Sequence, residues 1–177
     1  MTALAPQALL TDGALAGTWV LDPRRSSIRL QNRSMRGLIR VHGVFREVSG
    51  TGIVGPDGAV SGTVTVAATS IDTKNTRRDT HLRSADFFDS GNHPDITFTT
   101  DDIQASGQRV AVTGTLTVRD RTRPVSFDAV VSVQGDGGIW LDAEVHVNRA
   151  DFGLTWNLLG LISMDNILTV HVVFTRP

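Results

Sequence analysis

The 177-residue chain has no cysteine, no tyrosine and a single lysine, Lys74, among its 17 basic residues. The missing cysteines exclude disulfide staples, thiolate zinc sites and a cysteine nucleophile together. One lysine leaves no reserve for Schiff-base chemistry. Glutamate is nearly absent (Glu47 and Glu144), and neither a Gly-x-Ser-x-Gly elbow nor a His-Glu-x-x-His pair occurs, so hydrolytic catalysis has no support. A net charge of −1 gives no general attraction to nucleic acid, and no nucleic-acid partner is expected. No run approaches the ~20 apolar residues of a membrane-spanning helix. Residues 1–16 lack the basic start of a secretory signal, and Pro6, Gln7 and Asp12 interrupt their apolar run. We expect a flexible leader there and a cytoplasmic protein.

What is present is alternation. With 40% hydrophobic and 20% charged residues, the chain reads as one globular domain over residues 17–177. Val110, Val112, Leu116 and Val118 fall on one face of residues 109–118, and Ala111, Thr113, Thr115 and Thr117 on the other. Residues 125–133, 139–147 and 168–174 repeat the pattern, and strand-sized pieces fit 18–21, 26–33, 38–54, 59–71 and 95–103. Period two with one apolar face is the mark of antiparallel strands covered on one side. Turn chemistry separates them at Pro56-Asp57-Gly58, Ser106-Gly107, Arg123-Pro124 and Gly135-Asp136-Gly137-Gly138. These features predict an all-β fold, a closed antiparallel barrel of about eight strands.

One segment breaks the rhythm. Residues 75–90 carry helix-start signals, Thr76 with Asp79 as a capping box and Ser84 before a second short turn. They predict a helical crossover over one barrel end, anchored by Leu82, Phe87 and Phe88. Gly50-Thr51-Gly52-Ile53-Val54-Gly55 spells a dinucleotide fingerprint, but a turn and another strand follow where that mechanism needs a helix. The five histidines have no metal-ligand spacing. Only His81 and His93 cluster with Asp79 and Asp86, and ion pairs with Arg77, Arg78 and Arg83 explain that group. No metal and no cofactor are expected.

Between Asp22 and Glu47 stand Arg24, Arg25, Arg29, Arg33, Arg36, Arg40 and Arg46 without an acid. Guanidinium groups suit phosphate or carboxylate, and equally a charged edge that blocks strand pairing. An eight-stranded barrel can be filled by side chains or hold one elongated guest. Its inward residues here are of medium size, and an apolar bore favours hydrocarbon by ~0.8 kcal/mol per CH2.

The run Ser70-Ile71-Asp72-Thr73, Asn75, Arg78-Asp79, His81-Leu82-Arg83-Ser84, Asp86-Phe87-Phe88-Asp89, Pro94 and Ile96-Thr97-Phe98 resembles the signature of the YceI-like family. Trp19-Val20-Leu21-Asp22, Gly43, Phe45, Gly114-Thr115-Leu116-Thr117-Val118, Thr122-Arg123-Pro124-Val125, Asn148-Arg149, Asp151-Phe152-Gly153 and Trp156 extend the likeness over about residues 17–177. The resemblance implies an extended lipocalin-like barrel that binds a polyisoprenoid, an isoprenoid quinone or a prenyl phosphate in its tunnel. On that reading Phe98, Leu116, Phe127, Leu141, Val145, Val172 and Phe174 line the wall. Phe152, Trp156, Leu158 and Leu159 line or gate the mouth, and Asp72, Arg78, Asp79 and Arg83 hold the crossover.

Two departures bear on the polar end of such a guest. Arg25-Ser26 stands where the family commonly has a histidine before serine, and Ser34-Met35 where a second histidine is common. The arginine run, including Arg25 and Arg40, is the expected substitute. Two functions follow: sequestration or transport of an amphiphile, or a cyclase that folds a reactive apolar intermediate by shape. A filled barrel acting through protein contacts is the third. The expected partner is an isoprenoid-like lipid; peripheral contact with a membrane surface and a homodimer are open to such a barrel, and nothing in the sequence requires either.

Overall fold

The computed structural model describes residues 5–177. Its strands are β1 (Gly17–Leu21), β2 (Ser27–Ser34), β3 (Ile39–Phe45), β4 (Val48–Val54), β5 (Val60–Ala67) and β6 (Ile71–Asp72), then β7 (Asp95–Ser106), β8 (Arg109–Val118), β9 (Arg121–Val133), β10 (Ile139–Asn148) and β11 (Ile162–Thr175). Two helices, α1 (Pro6–Thr11) and α2 (Thr76–Arg83), accompany them. The ring runs β1–β4–β5–β7–β8–β9–β10–β11 and closes where Val20 and Leu21 pair Thr175 and Phe174. The result is the all-β, eight-stranded antiparallel barrel that the alternation predicts. β2, β3 and β6 prolong β1, β4 and β5 beyond kinks, so three strands are long and bent.

Of the fingerprint glycines, Gly50 and Gly52 lie inside β4 and serve its curvature, and Gly55 opens the turn that follows. Gly52 faces Gly62 across the ladder, and a Cβ on Gly50 or Gly62 would press on the facing Thr63 or Thr51 carbonyl oxygen. Gly114 does the same for β8: a Cβ there would collide with the Thr99 carbonyl and the Phe98 ring, beside the register shift between Thr100 and Asp102.

Two gaps interrupt the wall at one end. β6 has no ladder with β7, and the crossover containing α2 covers that opening. β9 pairs β10 only from Ala129 to Val133, so residues 121–128 splay from 144–148, and the segment 149–154 packs Phe152 and Leu154 against Leu116 and Val118 there. This splay explains a misread turn. Arg123-Pro124 sits within β9, and the reversal comes earlier, at Arg119-Asp120. Pro124 has no N–H to donate, and its second edge has no ladder partner to disappoint.

The crossover is held differently from the capping box expected. Asn75, not Thr76, caps α2, its side chain accepting from the Arg78 N–H at 3.0 Å. Asp79 is buried and accepts from the Thr73 amide and hydroxyl at 2.9 and 2.6 Å. Arg78 bonds Thr73, and Arg83 donates to the carbonyls of Thr69 and Ile71. These groups thus tie α2 to the preceding chain rather than to each other. Asp72 accepts from the Lys74 amide and from Arg46, and those bonds hold its carboxyl down at about 2.

A carboxyl depressed in the folded state adds stability that is complete above the ordinary carboxylate range and lost as pH falls through the folded value. Asp72→Asn should therefore flatten the stability profile between about pH 4 and pH 2, read by thermal melts across that window. A profile with the wild-type slope would show that Asp72 is uncoupled from folding.

Residues 6–15, read above as part of a flexible leader, are packed. Leu9 and Leu15 are buried against Trp19 and Val54, and Arg176 stacks its guanidinium 4.3 Å from the Trp19 ring centroid. Gly58, at a φ of +85°, brings its turn so close to α1 that a Cβ would strike the Leu10 carbonyl. Residues 1–4, the rest of the expected leader, lie outside the described residues.

Candidate functional site

The barrel encloses a cavity of about 900 Å³ that runs from α1 to α2. Such a volume lies at the upper end of the roughly 300–1,000 Å³ range of small-molecule sites. Pro6, Leu9, Leu15 and Trp19 floor it, and the Trp19 indole donates to the Leu15 carbonyl at 2.9 Å. Its wall consists of the inward residues of the strands, among them Ile28, Leu30, Val64, Val112, Leu168 and Val170. Leu30, Val64, Phe98, Phe127, Leu141 and Val170 line the cavity and stay only half-buried, each with part of its surface facing the open bore. Side chains of this size coat the bore without filling it.

Of the residues expected in the wall, Phe98, Leu116, Phe127, Leu141, Val145, Val172 and Phe174 all line this cavity. Phe98 and Phe127 meet at a tilt of 51°, with 5.5 Å between ring centroids. Phe152, Trp156 and Leu158 line it at the α2 end, and so do Leu82, Phe87 and Phe88, which the sequence marks as anchors of the crossover. Three expected residues lie elsewhere. Leu159 is 86% exposed on the outer tip of its loop. Arg25 is clasped between Asp22 and Asp136 at 2.9 and 2.6 Å; the clasp lowers the Asp22 pKa, and the Gly138 amide together with Arg25 lowers that of Asp136. Arg40 stands on the outer face of β3, directly opposite Arg33 of β2, because odd and even positions point to opposite sides of the wall.

The polar end of the cavity was not visible in sequence. Asn32, Ser34, Asn75, Arg77, Arg78, His81, Arg149 and Asn166 line the α2 end. Among the described residues no aspartate or glutamate lines the cavity. Arg149 is buried and donates to the carbonyls of Leu154, Trp156, Ile162 and Ser163, with no carboxylate partner. Burial lowers its pKa, yet a guanidinium stays charged at neutral pH. Arg77 is exposed and has no ion-pair partner among the described residues. His81 meets Asp86 at 2.9 Å and packs edge-on to Trp156, which accounts for the histidine–aspartate cluster without the arginine pairs expected. The α2 end of the bore is therefore electropositive.

Met35 and Leu158 line the cavity and are 45% and 56% exposed, so the bore reaches the surface at this end. At the other end Leu9, Leu15 and Trp19 are all buried. A closed antiparallel barrel around an apolar bore, with a polar mouth, is a lipocalin-like protein. Within that class the chain belongs to the YceI-like family, whose domain model matches residues 19–174.

Protein YceI of Escherichia coli O6:H1 is 34% identical over 139 residues, covering 75% of this chain and 72% of that protein. Protein YceI of Salmonella newport is 31% identical over 180 residues, covering 96% and 92% of the two chains. The crystal structure of BcnA from Burkholderia cenocepacia superposes with a TM-score of 0.80 at 21% identity, over 88% of this chain and 99% of that one. A polyisoprenoid-binding domain from Saccharophagus degradans, implicated in plant cell wall breakdown, superposes with a TM-score of 0.74 at 15% identity, over 90% and 98%. Among the described residues no helix is long and apolar enough to cross a membrane.

Proposed function

We propose that this barrel binds and carries a prenyl lipid with an anionic head, the tail in the bore and the head among Arg77, Arg78 and His81. The observation that carries the reading is the cavity of about 900 Å³, apolar along its wall and electropositive only at its open end. At ~0.8 kcal/mol per buried CH2, even a fraction of a prenyl chain supplies ample affinity. The head selects among tails. With Arg149 uncompensated and no carboxylate in the lining, a phosphate is a better fit than a quinone ring. The polyisoprenoid-binding neighbour supports the class of tail.

Ring closure by a cyclase is the weaker reading. Its shape catalysis is compatible with an apolar bore, but among the described residues no carboxylate lines that bore, and its one lining histidine, His81, stands at the mouth. A cytoplasmic location belongs to this proposal and is checked by fractionation. A homodimer built by strand pairing would add a strand at residues 39–42 of β3, where Arg40 opposes pairing.

Delipidated protein titrated with a polyprenyl phosphate and with the matching polyprenol is expected to bind both, the phosphate at least tenfold more tightly, since a charge-assisted bond contributes about 1.5–3 kcal/mol. Equal affinities would remove the anionic head from the proposal. Binding of neither would remove the function.

A further inference from the structure

The surface around the mouth has a composition that ligand binding in the bore does not explain. The β2–β3 hairpin tip exposes Met35, Leu38 and Ile39 by 45%, 86% and 50%, and the loop before β11 exposes Leu158 and Leu159 by 56% and 86%. The Ser34–Ile162 pairing brings the two tips side by side at the same end of the barrel. Five large apolar side chains exposed together are unusual on a soluble surface and mark a site of contact. Met35, Arg36 and Leu159 also hold left-handed backbone, at φ of 51°, 55° and 54°. Residues with a Cβ adopt this conformation at a cost of order 1–3 kcal/mol, and here it turns the apolar tips outward.

Charge flanks the β2–β3 tip. Arg29, Arg33, Arg36 and Arg40 are exposed, and none makes a salt bridge among the described residues. Arg33 and Arg40 face each other directly across the ladder, an arrangement that repels unless an anion lies above both. Asp165 on the adjoining β11 forms no ion pair with them. Exposed apolar tips with unpaired arginines along the β2–β3 hairpin beside them match one environment: phosphate headgroups above and acyl chains below.

We propose that the tips at residues 35–39 and 158–159 dock on an anionic lipid bilayer, the apolar side chains entering the interface and Arg33, Arg36 and Arg40 meeting headgroup phosphates. Docking rests on the proposed carriage of a lipid and adds its route. Met35 and Leu158 belong both to the docking face and to the cavity lining, so a bilayer seated there is continuous with the bore. The guest then slides from membrane to tunnel without crossing water.

The test is co-sedimentation of the full chain with vesicles of phosphatidylcholine containing phosphatidylglycerol, free of any prenyl lipid, against pure phosphatidylcholine. Binding to the anionic vesicles is expected, weakened by salt, and weak or absent on the neutral ones. Each basic residue near an anionic surface contributes about fivefold, so R33Q/R36Q is expected to lower partition about 30-fold. Leu38→Asp is expected to lower it at least tenfold. Neither variant touches the bore, so uptake of a polyprenol from detergent solution stays at the wild-type level in both. Equal sedimentation of wild type and variants, or none with anionic vesicles, would overturn docking. A dimer in sedimentation velocity that Leu38→Asp dissolves would overturn it too, assigning the tips to a second copy. Loss of detergent uptake with vesicle binding intact would instead remove the tunnel reading and leave docking standing.

Discussion

Val170→Trp lowers the affinity for a polyprenol by about two orders of magnitude while the barrel still folds. Val170 lies on β11 between Ala143 and Ile28 in the flanking strands, lines the cavity and is only half-buried. An indole placed there extends into empty space and takes the room of about four methylene groups of the guest. At ~0.8 kcal/mol each, the loss is roughly 3 kcal/mol, or about 200-fold in Kd. The same substitution separates a hollow barrel from a filled one through stability. In a filled core the extra ring forces strain of about 1–3 kcal/mol and the melting temperature falls. In a hollow core the ring buries apolar surface without displacing neighbours, and the melting temperature holds or rises. Isothermal titration and a thermal melt on the same sample read both quantities. Unchanged affinity with a lowered melting temperature would mean that the guest lies elsewhere.

Arg149→Ala carries the second large effect, and it falls on the fold. The Arg149 guanidinium gathers four main-chain carbonyls, of Leu154, Trp156, Ile162 and Ser163, into one buried cluster. Its removal orphans acceptors that each cost about 1–3 kcal/mol when left dry. Water entering from the mouth offsets part of this, which leaves roughly 3 kcal/mol and a melting temperature lower by about 6–12 °C for a chain of this size. Arg149→Lys rescues little, because an ammonium has three donors and no planar fork. The segment 149–154 that closes the splay between β9 and β10 should then become sensitive to protease. A melting temperature within about 2 °C of wild type would show that the cluster is dispensable.

The strands were legible because each carries its own alternation, and alternation is a local property. Val110, Val112, Leu116 and Val118 announce the inner face of β8 without help from any other segment, and all four line the bore. The mouth was not legible for the opposite reason. Asn32, Arg77, Arg149 and Asn166 come from four separate parts of the chain, and only closure of the barrel collects them. The arginine run misled in a specific way. Charge alone fits both a head-group role and a charged strand edge, and Arg29, Arg33 and Arg40 point outward by strand parity while Arg25 is consumed by Asp22 and Asp136. The early helix escaped notice because Leu9 and Leu15 have no periodic partners nearby; they are buried only because Trp19 and Val54 arrive from the barrel. Hollowness itself leaves no trace in periodicity, since a strand facing a void and a strand facing a packed core read alike.

Native mass spectrometry of the delipidated chain incubated with a polyprenol tests the tunnel most directly. A folded barrel with room for a hydrocarbon retains one polyprenol per chain, released on solvent extraction and lost in Val170→Trp. A chain that stays folded and shows no adduct at saturating polyprenol would contradict the account.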